Sequence, residues 1–221
     1  MSISQNLDEL RATIPKDVKL IAISKTRSRE EILEAYRCGQ REFGENRPQE
    51  LTIKASNLPS DIQWHLVGHL QTNKVKQIAA FVNLIHSIDS LRLLIEINKE
   101  AAKNNRVINV LLQFYIASEE TKFGLTLDEA IQLLETNEFK NMHNISIAGV
   151  MGMASFTEDL IKVKSEFNEL YNIFIVLKNR FFLNSQHFKE LSMGMSGDYK
   201  LAIEAGSTMV RLGTIIFGER N

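Results

Sequence analysis

The stretch Lys19-Leu20-Ile21-Ala22-Ile23-Ser24-Lys25-Thr26 decides the fold. An apolar run bounded by charge reads as a strand buried on both faces, the kind found in parallel sheets. Side chains alternate along a strand, so Ile21, Ile23 and Lys25 share a face. Lys25 then stands at the C-terminal mouth of a buried strand, the end at which parallel α/β folds bind ligands. A partly desolvated lysine has a lowered pKa and can become the free amine that forms Schiff bases. The plain alternative is a lysine that snorkels to solvent from a strand end.

Working outward, Ile3 to Thr13 reads as a leading helix closed by Pro15. Ser28 and Glu31 make a capping box for a helix over Arg29–Cys38, ended by Gly39. Arg41–Phe43 is a short strand, and Pro48 opens a helix to about Ser56. Strand three is Ile62–Val67, followed by a helix from Thr72 to Ala80. Strand four is Asn83–Ser87, followed by a helix to Lys103. Strand five is Val107–Tyr115, and Thr126 caps a helix to about Leu134. Strand six is Ile145–Met151. A long helix covers Glu158–Phe182, its stripe Leu160, Val163, Phe167, Leu170, Phe174, Leu177 and Phe181 at three-four spacing. A coiled-coil partner would suit that stripe, but the expectation is that it packs on its own sheet. Strand seven is Glu190–Ser192, a helix spans Asp198–Ala205, and strand eight is Thr208–Leu212.

Eight strands alternating with helices require parallel pairing with helical crossovers. The expected fold is a single α/β domain over 1–221, a (β/α)8 TIM barrel. An open doubly wound sheet is the alternative. It calls for a Gly-rich turn after strand one, and Ser24-Lys25-Thr26-Arg27 has no glycine.

The chain has 221 residues, 26 Lys+Arg against 27 Asp+Glu and a net charge of -1, which gives no sign of a nucleic-acid partner. One cysteine, Cys38, excludes an internal disulfide, and the five histidines show no zinc spacing. The first residues lack a basic and an apolar region of the signal-peptide type, and no apolar run suits a bilayer span. The expectation is a soluble, cytoplasmic, monomeric protein with no metal and no membrane partner.

Function in a barrel belongs to the loops after the strands. Those are Ser24-Lys25-Thr26, Gly44-Glu45-Asn46, Gly68-His69-Leu70-Gln71, Ser118-Glu119-Glu120-Thr121-Lys122, Gly152-Met153, Gly194-Met195-Ser196-Gly197-Asp198 and Gly213-Thr214. Barrel phosphate sites commonly use the loops after strands seven and eight. Ser196 offers a hydroxyl there, and Gly213 and Thr214 offer backbone N–H groups; two ordinary glycine turns are the other reading. Arg211, between Val210 and Leu212, is costly to bury unless paired. It either meets a buried carboxylate or points into the barrel toward a ligand acceptor. A lysine, an arginine and a phosphate cradle at one mouth suggest pyridoxal 5′-phosphate. The lysine amine would meet the aldehyde, the arginine the pyridine nitrogen, and the loops the phosphate.

The ordered motifs Ala22-Ile23-Ser24-Lys25-Thr26, Phe43-Gly44-Glu45-Asn46, Trp64-His65-Leu66-Val67-Gly68-His69-Leu70-Gln71-Thr72-Asn73-Lys74, Leu191-Ser192-Met193-Gly194-Met195-Ser196 and Gly206-Ser207-Thr208-Met209-Val210-Arg211-Leu212-Gly213 run through nearly the whole chain. With them the sequence closely resembles the pyridoxal-phosphate homeostasis (YggS/PROSC) family. The resemblance implies a barrel like the N-terminal domain of alanine racemase and a Schiff base at Lys25. It implies Arg211 at the pyridine nitrogen, phosphate contacts from Ser196, Gly213 and Thr214, and Asn46 in the pocket. It implies a protein that binds and buffers the cofactor, with apo-enzymes as the expected recipients, and no established catalytic turnover. Arg47-Pro48, Gly197 and Gln113-Phe114-Tyr115-Ile116 depart from the family pattern at the pocket rim.

Two enzymatic readings compete. A racemase of this fold draws a second base, a tyrosine, from an added β-domain, and this sequence reaches Asn221 soon after strand eight. Tyr115 and Tyr199 are the tyrosines expected nearest the mouth, Tyr36 and Tyr171 being placed on helices away from it. A Schiff-base aldolase acting on a sugar phosphate shares the lysine and the cradle but gives Arg211 no role.

Overall fold

The computed structural model describes residues 2–117 and 124–219. The expected strand-five loop Ser118–Lys122 lies outside the described residues. The described residues form eight strands: β1 (Lys19–Ile23), β2 (Glu42–Glu45), β3 (Gln63–Leu66), β4 (Leu84–Ile88), β5 (Ile108–Tyr115), β6 (Ile145–Met153), β7 (Glu190–Ser192) and β8 (Met209–Leu212). Every neighbouring pair is parallel, and β8 pairs back with β1 to close the barrel. Closure leaves no unpaired edge, and it makes the expected (β/α)8 architecture the observed one.

The outer layer begins with α1 (Ile3–Thr13), α2 (Arg29–Arg37), α3 (Pro48–Asn57), α4 (Val75–Ile78) and α5 (Leu91–Lys103). It continues with α6 (Leu127–Glu135), α7 (Asn137–Lys140), α8 (Leu160–Phe181), α9 (Tyr199–Glu204) and α10 (Thr214–Phe217). Capping boxes of Ser28 with Glu31 and of Thr126 with Glu129 start α2 and α6, and Pro48 opens α3. The region expected as one helix over Thr72–Ala80 divides into a 3-10 turn, Thr72–Lys74, and the short α4. Two short helices, α7 and α10, carry no periodic signal in the sequence, each being only four residues long. Strand β2 runs further than expected, through Gly44 and Glu45, because Gly44 belongs inside the barrel. A Cβ there would lie 2.6 Å from Ile23 Cδ1 and 3.2 Å from Ile21 Cγ2.

The barrel has two cores. The larger lies between sheet and helices, and the α8 stripe joins it. Val163, Phe167, Leu170, Phe174 and Leu177 are buried, whereas Leu160, at the first turn, is exposed. The smaller fills the lumen with Ile21, Leu84, Leu111, Ala148, Met151 and Met209. Polar side chains share that lumen: His65, His86, Ser192 and Arg211 are all buried. Among the described residues, no helix is long and apolar enough to cross a membrane.

Candidate functional site

Strand alternation sets the site. On β1, Ile21 and Ile23 point into the lumen, and Lys25, two residues on, continues that face at the C-terminal mouth. Ile21 lies opposite Arg211 in the β1–β8 register, so the lysine and arginine belong to adjacent strands. On β2 the inward set is Glu42, Gly44 and then Asn46, while Phe43 and Glu45 face the helices.

At this mouth a cavity of about 500 Å3 opens. Lys25, Asn46, Ser196, Arg211, Gly213 and Thr214 all line it. The six residues expected from sequence are therefore brought together. Val67, His69, Gln113, Met195, Gly197 and Asp198 line it too; His69, Met195, Gly197 and Asp198 belong to the loops expected at the mouth, Gln113 and Gly197 to the expected pocket rim, and Val67 has no role assigned from sequence. No tyrosine is among the described lining residues of this cavity; Tyr199 lines a neighbouring one that shares Ser196, Gly197 and Asp198 with it, and Tyr115 ends β5. His69 is a lining residue, with Nδ1 3.3 Å from Asp89 Oδ2.

The lysine loop is held from outside the sheet. Ser24 Oγ donates to Glu45 Oε1 at 2.6 Å. Lys54 of α3 donates to Ser24 O, Glu45 Oε1 and Glu50 Oε1 at 2.7, 2.8 and 2.7 Å. The Thr26 N–H donates to the same Glu50 oxygen at 2.7 Å. Both chain neighbours of Lys25 are thus tied to one cluster of charges. Thr26 has φ 65°, a left-handed conformation that a β-branched residue adopts only when its surroundings compel it. Burial pushes the Glu45 carboxyl up against the opposing pull of Lys54. Burial also works against Glu50, but hydrogen bonds from Lys54 and Thr26 hold it below its ordinary value.

Arg211 is held from inside. Nη1 donates to Ser192 Oγ at 2.7 Å and Nη2 to Gly152 O at 3.1 Å. Among the described residues it hydrogen-bonds no carboxylate, and of the two alternatives left open by the sequence it points into the barrel. Burial lowers its pKa to about 10, with the Asp198 charge pulling the other way. Asp198 is itself raised by burial, and it accepts from Met195 N at 2.6 Å.

The loops after β7 and β8 meet where Gly213 N–H points at Ser196 Oγ, 3.4 Å away. Gly194, with φ 95°, makes the turn into the first of them. A Cβ there would lie 2.6 Å from Ala202 Cβ, so only glycine fits. The chemistry on offer is a primary amine, a buried guanidinium and a hydroxyl with neighbouring amides, all facing one space. Among the described residues no group of three or more His, Cys, Asp or Glu is placed to hold a metal.

Comparison with known proteins agrees in fold and in family. The family model "Alanine racemase, N-terminal domain" matches residues 1–221. A pyridoxal phosphate homeostasis protein of Aquifex aeolicus is 41% identical over 203 residues, 91% of this chain and 87% of its own. The structure of PipY from Synechococcus elongatus with PLP bound superposes with a TM-score of 0.88 at 33% identity, covering 98% of this chain and 100% of that one. Alanine racemase of Clostridium difficile matches at a TM-score of 0.74 and 14% identity, a likeness of fold, and this chain covers 57% of it. On the full-length family match and the close relatives, the chain belongs to the pyridoxal phosphate homeostasis proteins, within the alanine racemase N-terminal-domain family.

Proposed function

We propose that this protein binds pyridoxal 5′-phosphate at the C-terminal mouth of the barrel and serves in its homeostasis, holding and releasing the cofactor. One observation carries the reading: Lys25, Arg211 and the Ser196–Gly213–Thr214 loops converge on a single cavity. The residues fit the cofactor. When bound, it supplies an aldehyde that condenses reversibly with a primary amine. Lys25 supplies that amine from a loop fixed on both sides. Arg211, which can only donate, suits an unprotonated ring nitrogen. Ser196 and the amides of Gly213 and Thr214 suit a phosphate. Asn46 lines the wall beside Lys25.

The relatives are named for homeostasis, and PipY was solved with PLP bound. We extend the reading to a protein without enzymatic turnover, monomeric and cytoplasmic, whose other partners are the apo-enzymes that receive the cofactor. Burial of the α8 stripe against the sheet supports the monomer. The lining offers no tyrosine as an opposed base among the described residues, which supports binding over racemisation.

Borohydride reduction of the purified, cofactor-loaded protein should fix the label on Lys25, located by peptide mass. Lys25→Ala should lose the label while staying folded, and a label that persists elsewhere overturns the assignment. Turnover is tested with L- and D-alanine in deuterium oxide, following the α-proton by NMR. Exchange near about 1 per second or faster defeats the binding reading, and its loss in His69→Asn would name the base.

A further inference from the structure

The lumen holds a chain of side chains that binding at the mouth does not by itself explain. Beyond Ser192, it continues from Ser192 Oγ to His86 Nδ1 at 3.0 Å, and from His86 Nε2 to His65 Nδ1 at 2.9 Å. His65 Nε2 meets Glu42 Oε2 at 2.5 Å. Ser192, His86 and His65 are fully buried or nearly so, whereas the Glu42 side chain is partly exposed. Glu42 and His65 line a cavity of about 190 Å3 among the N-terminal ends of the strands. The chain therefore runs the length of the barrel, from the floor to the arginine at the mouth.

Its direction follows from donor chemistry. Arg211 only donates, so Ser192 Oγ accepts from it. The serine has one proton left, and His86 Nδ1 is its other partner. His86 then carries its proton on Nε2 and donates to His65 Nδ1, and His65 Nε2–H donates to the Glu42 carboxylate. In this arrangement every polar hydrogen of the chain has an acceptor. Had His86 Nδ1–H donated to Ser192 instead, the serine proton would have no acceptor among its contacts. Burial, reinforced by the Arg211 charge, holds His86 well below its ordinary pKa, in keeping with a neutral ring. Each dipole thus turns its negative end toward Arg211 and its positive end toward Glu42.

We propose that Glu42, His65, His86 and Ser192 are positioning residues that orient the Arg211 guanidinium toward the ring nitrogen of the cofactor, with Glu42 at the barrel floor acting as its counter-charge through the chain. A buried cation without a contacting carboxylate is costly, and aligned neutral dipoles lower that cost without placing a second charge beside the ligand. The rotation of the guanidinium is fixed by two acceptors of different kinds, a hydroxyl in the chain and the Gly152 carbonyl. The proposal rests on the cofactor reading above.

The test compares pyridoxal 5′-phosphate with its deaza analogue, in which a C–H replaces the ring nitrogen, on wild type, Glu42→Gln, Ser192→Ala and Ser192→Thr. Losing a bond to a charged group costs affinity roughly tenfold or more, so Ser192→Ala should weaken the cofactor by that factor. Glu42→Gln, at the far mouth, should weaken it about threefold, since neutral links transmit only part of the charge. Affinity for the analogue should change less than about twofold in both, because Arg211 has no ring nitrogen to meet there. Ser192→Thr keeps the hydroxyl and should recover most of the loss. Unchanged cofactor affinity in Glu42→Gln, which is partly exposed and spares the pocket, overturns the proposal. Equal losses for both ligands assign these residues to the fold and overturn it as well. A wild-type protein that binds neither ligand overturns the cofactor reading, and the proposal with it. Long-range proton–nitrogen NMR of the ligand-free protein at mildly alkaline pH adds an independent readout. Nε2–H tautomers at His65 and His86 are expected, and an Nδ1–H tautomer at His86 refutes the direction of the chain.

Discussion

Lys25 and Arg211 face one cavity from adjacent strands, yet they are held from opposite sides of the sheet and by different chemistry. The lysine loop is gripped from the helix layer by charges in direct contact, Glu45, Lys54 and Glu50. The arginine is gripped from the lumen by a hydroxyl and a carbonyl, the hydroxyl being joined in turn to two linked imidazoles. The difference follows from where each support sits. Between β2 and α3 a carboxylate can be buried because a helix delivers its partner at hydrogen-bond distance. Inside the barrel a carboxylate against Arg211 would compete with the ligand for its donors. The groups that accept from it are accordingly neutral, Asp198 acts on it without a hydrogen bond, and the acidic end of the chain is at the floor.

The comparison is broken most severely on the outer side. Lys54→Met removes the partner of a fully buried carboxylate and frees the Ser24 carbonyl. Removing one member of a buried pair costs about 3–5 kcal/mol, and chemical denaturation should show a loss in that range. A loss under about 1 kcal/mol, the size of an exposed pair, would mean that solvent already screens the cluster.

This outer cluster also marks how far the sequence can be read. The barrel is legible because the strands alternate with capped helices, and capping boxes such as Ser28 with Glu31 are local signals. Lys25, Arg211 and the glycine loops are legible because barrel topology sends strand ends to one mouth. Charge clusters across layers are not, because Lys54 is close to Glu45 only once α3 has docked on β2. The histidine chain has a signal of its own. Period-two alternation applied to β2, β3 and β4 puts Glu42, His65 and His86 all inward, once the faces of those strands are assigned. The spacing of four between His65 and His69, by contrast, has no meaning across a strand end.

A smaller effect separates the phosphate cradle from both supports. Ser196→Ala removes one hydroxyl at the meeting of the last two loops. A bond to a charged group is worth about 1.5–3 kcal/mol, so affinity for pyridoxal 5′-phosphate should fall roughly tenfold or more. Pyridoxal, lacking the phosphate, should bind with nearly unchanged affinity. Equal losses for the two would place Ser196 among the residues that hold the fold.

The smallest effect is a pH slope, and it sharpens the account of Glu45. Burial raises this carboxyl above its ordinary value of 4.5, although Lys54 and Ser24 pull it down. Between 4.5 and the raised value the folded protein keeps a proton that the unfolded chain has lost. Stability changes with pH in proportion to protons bound unfolded minus protons bound folded, so this group makes wild type lose stability as pH rises through that window. Below the window both states are protonated and the contribution vanishes; above it the loss is complete and constant. Glu45→Gln keeps an acceptor for Ser24 and Lys54 and has no proton to lose. The stability of wild type minus that of Glu45→Gln, measured by denaturant at a series of pH values, should therefore fall as pH rises through the window. Taking the difference cancels the carboxylates common to both proteins, apart from whatever Glu50 feels of the substitution. A difference that grows with pH would have the opposite meaning. It would show Lys54 outweighing burial and the outer cluster stabilised by its charges, as the inner chain is by its dipoles.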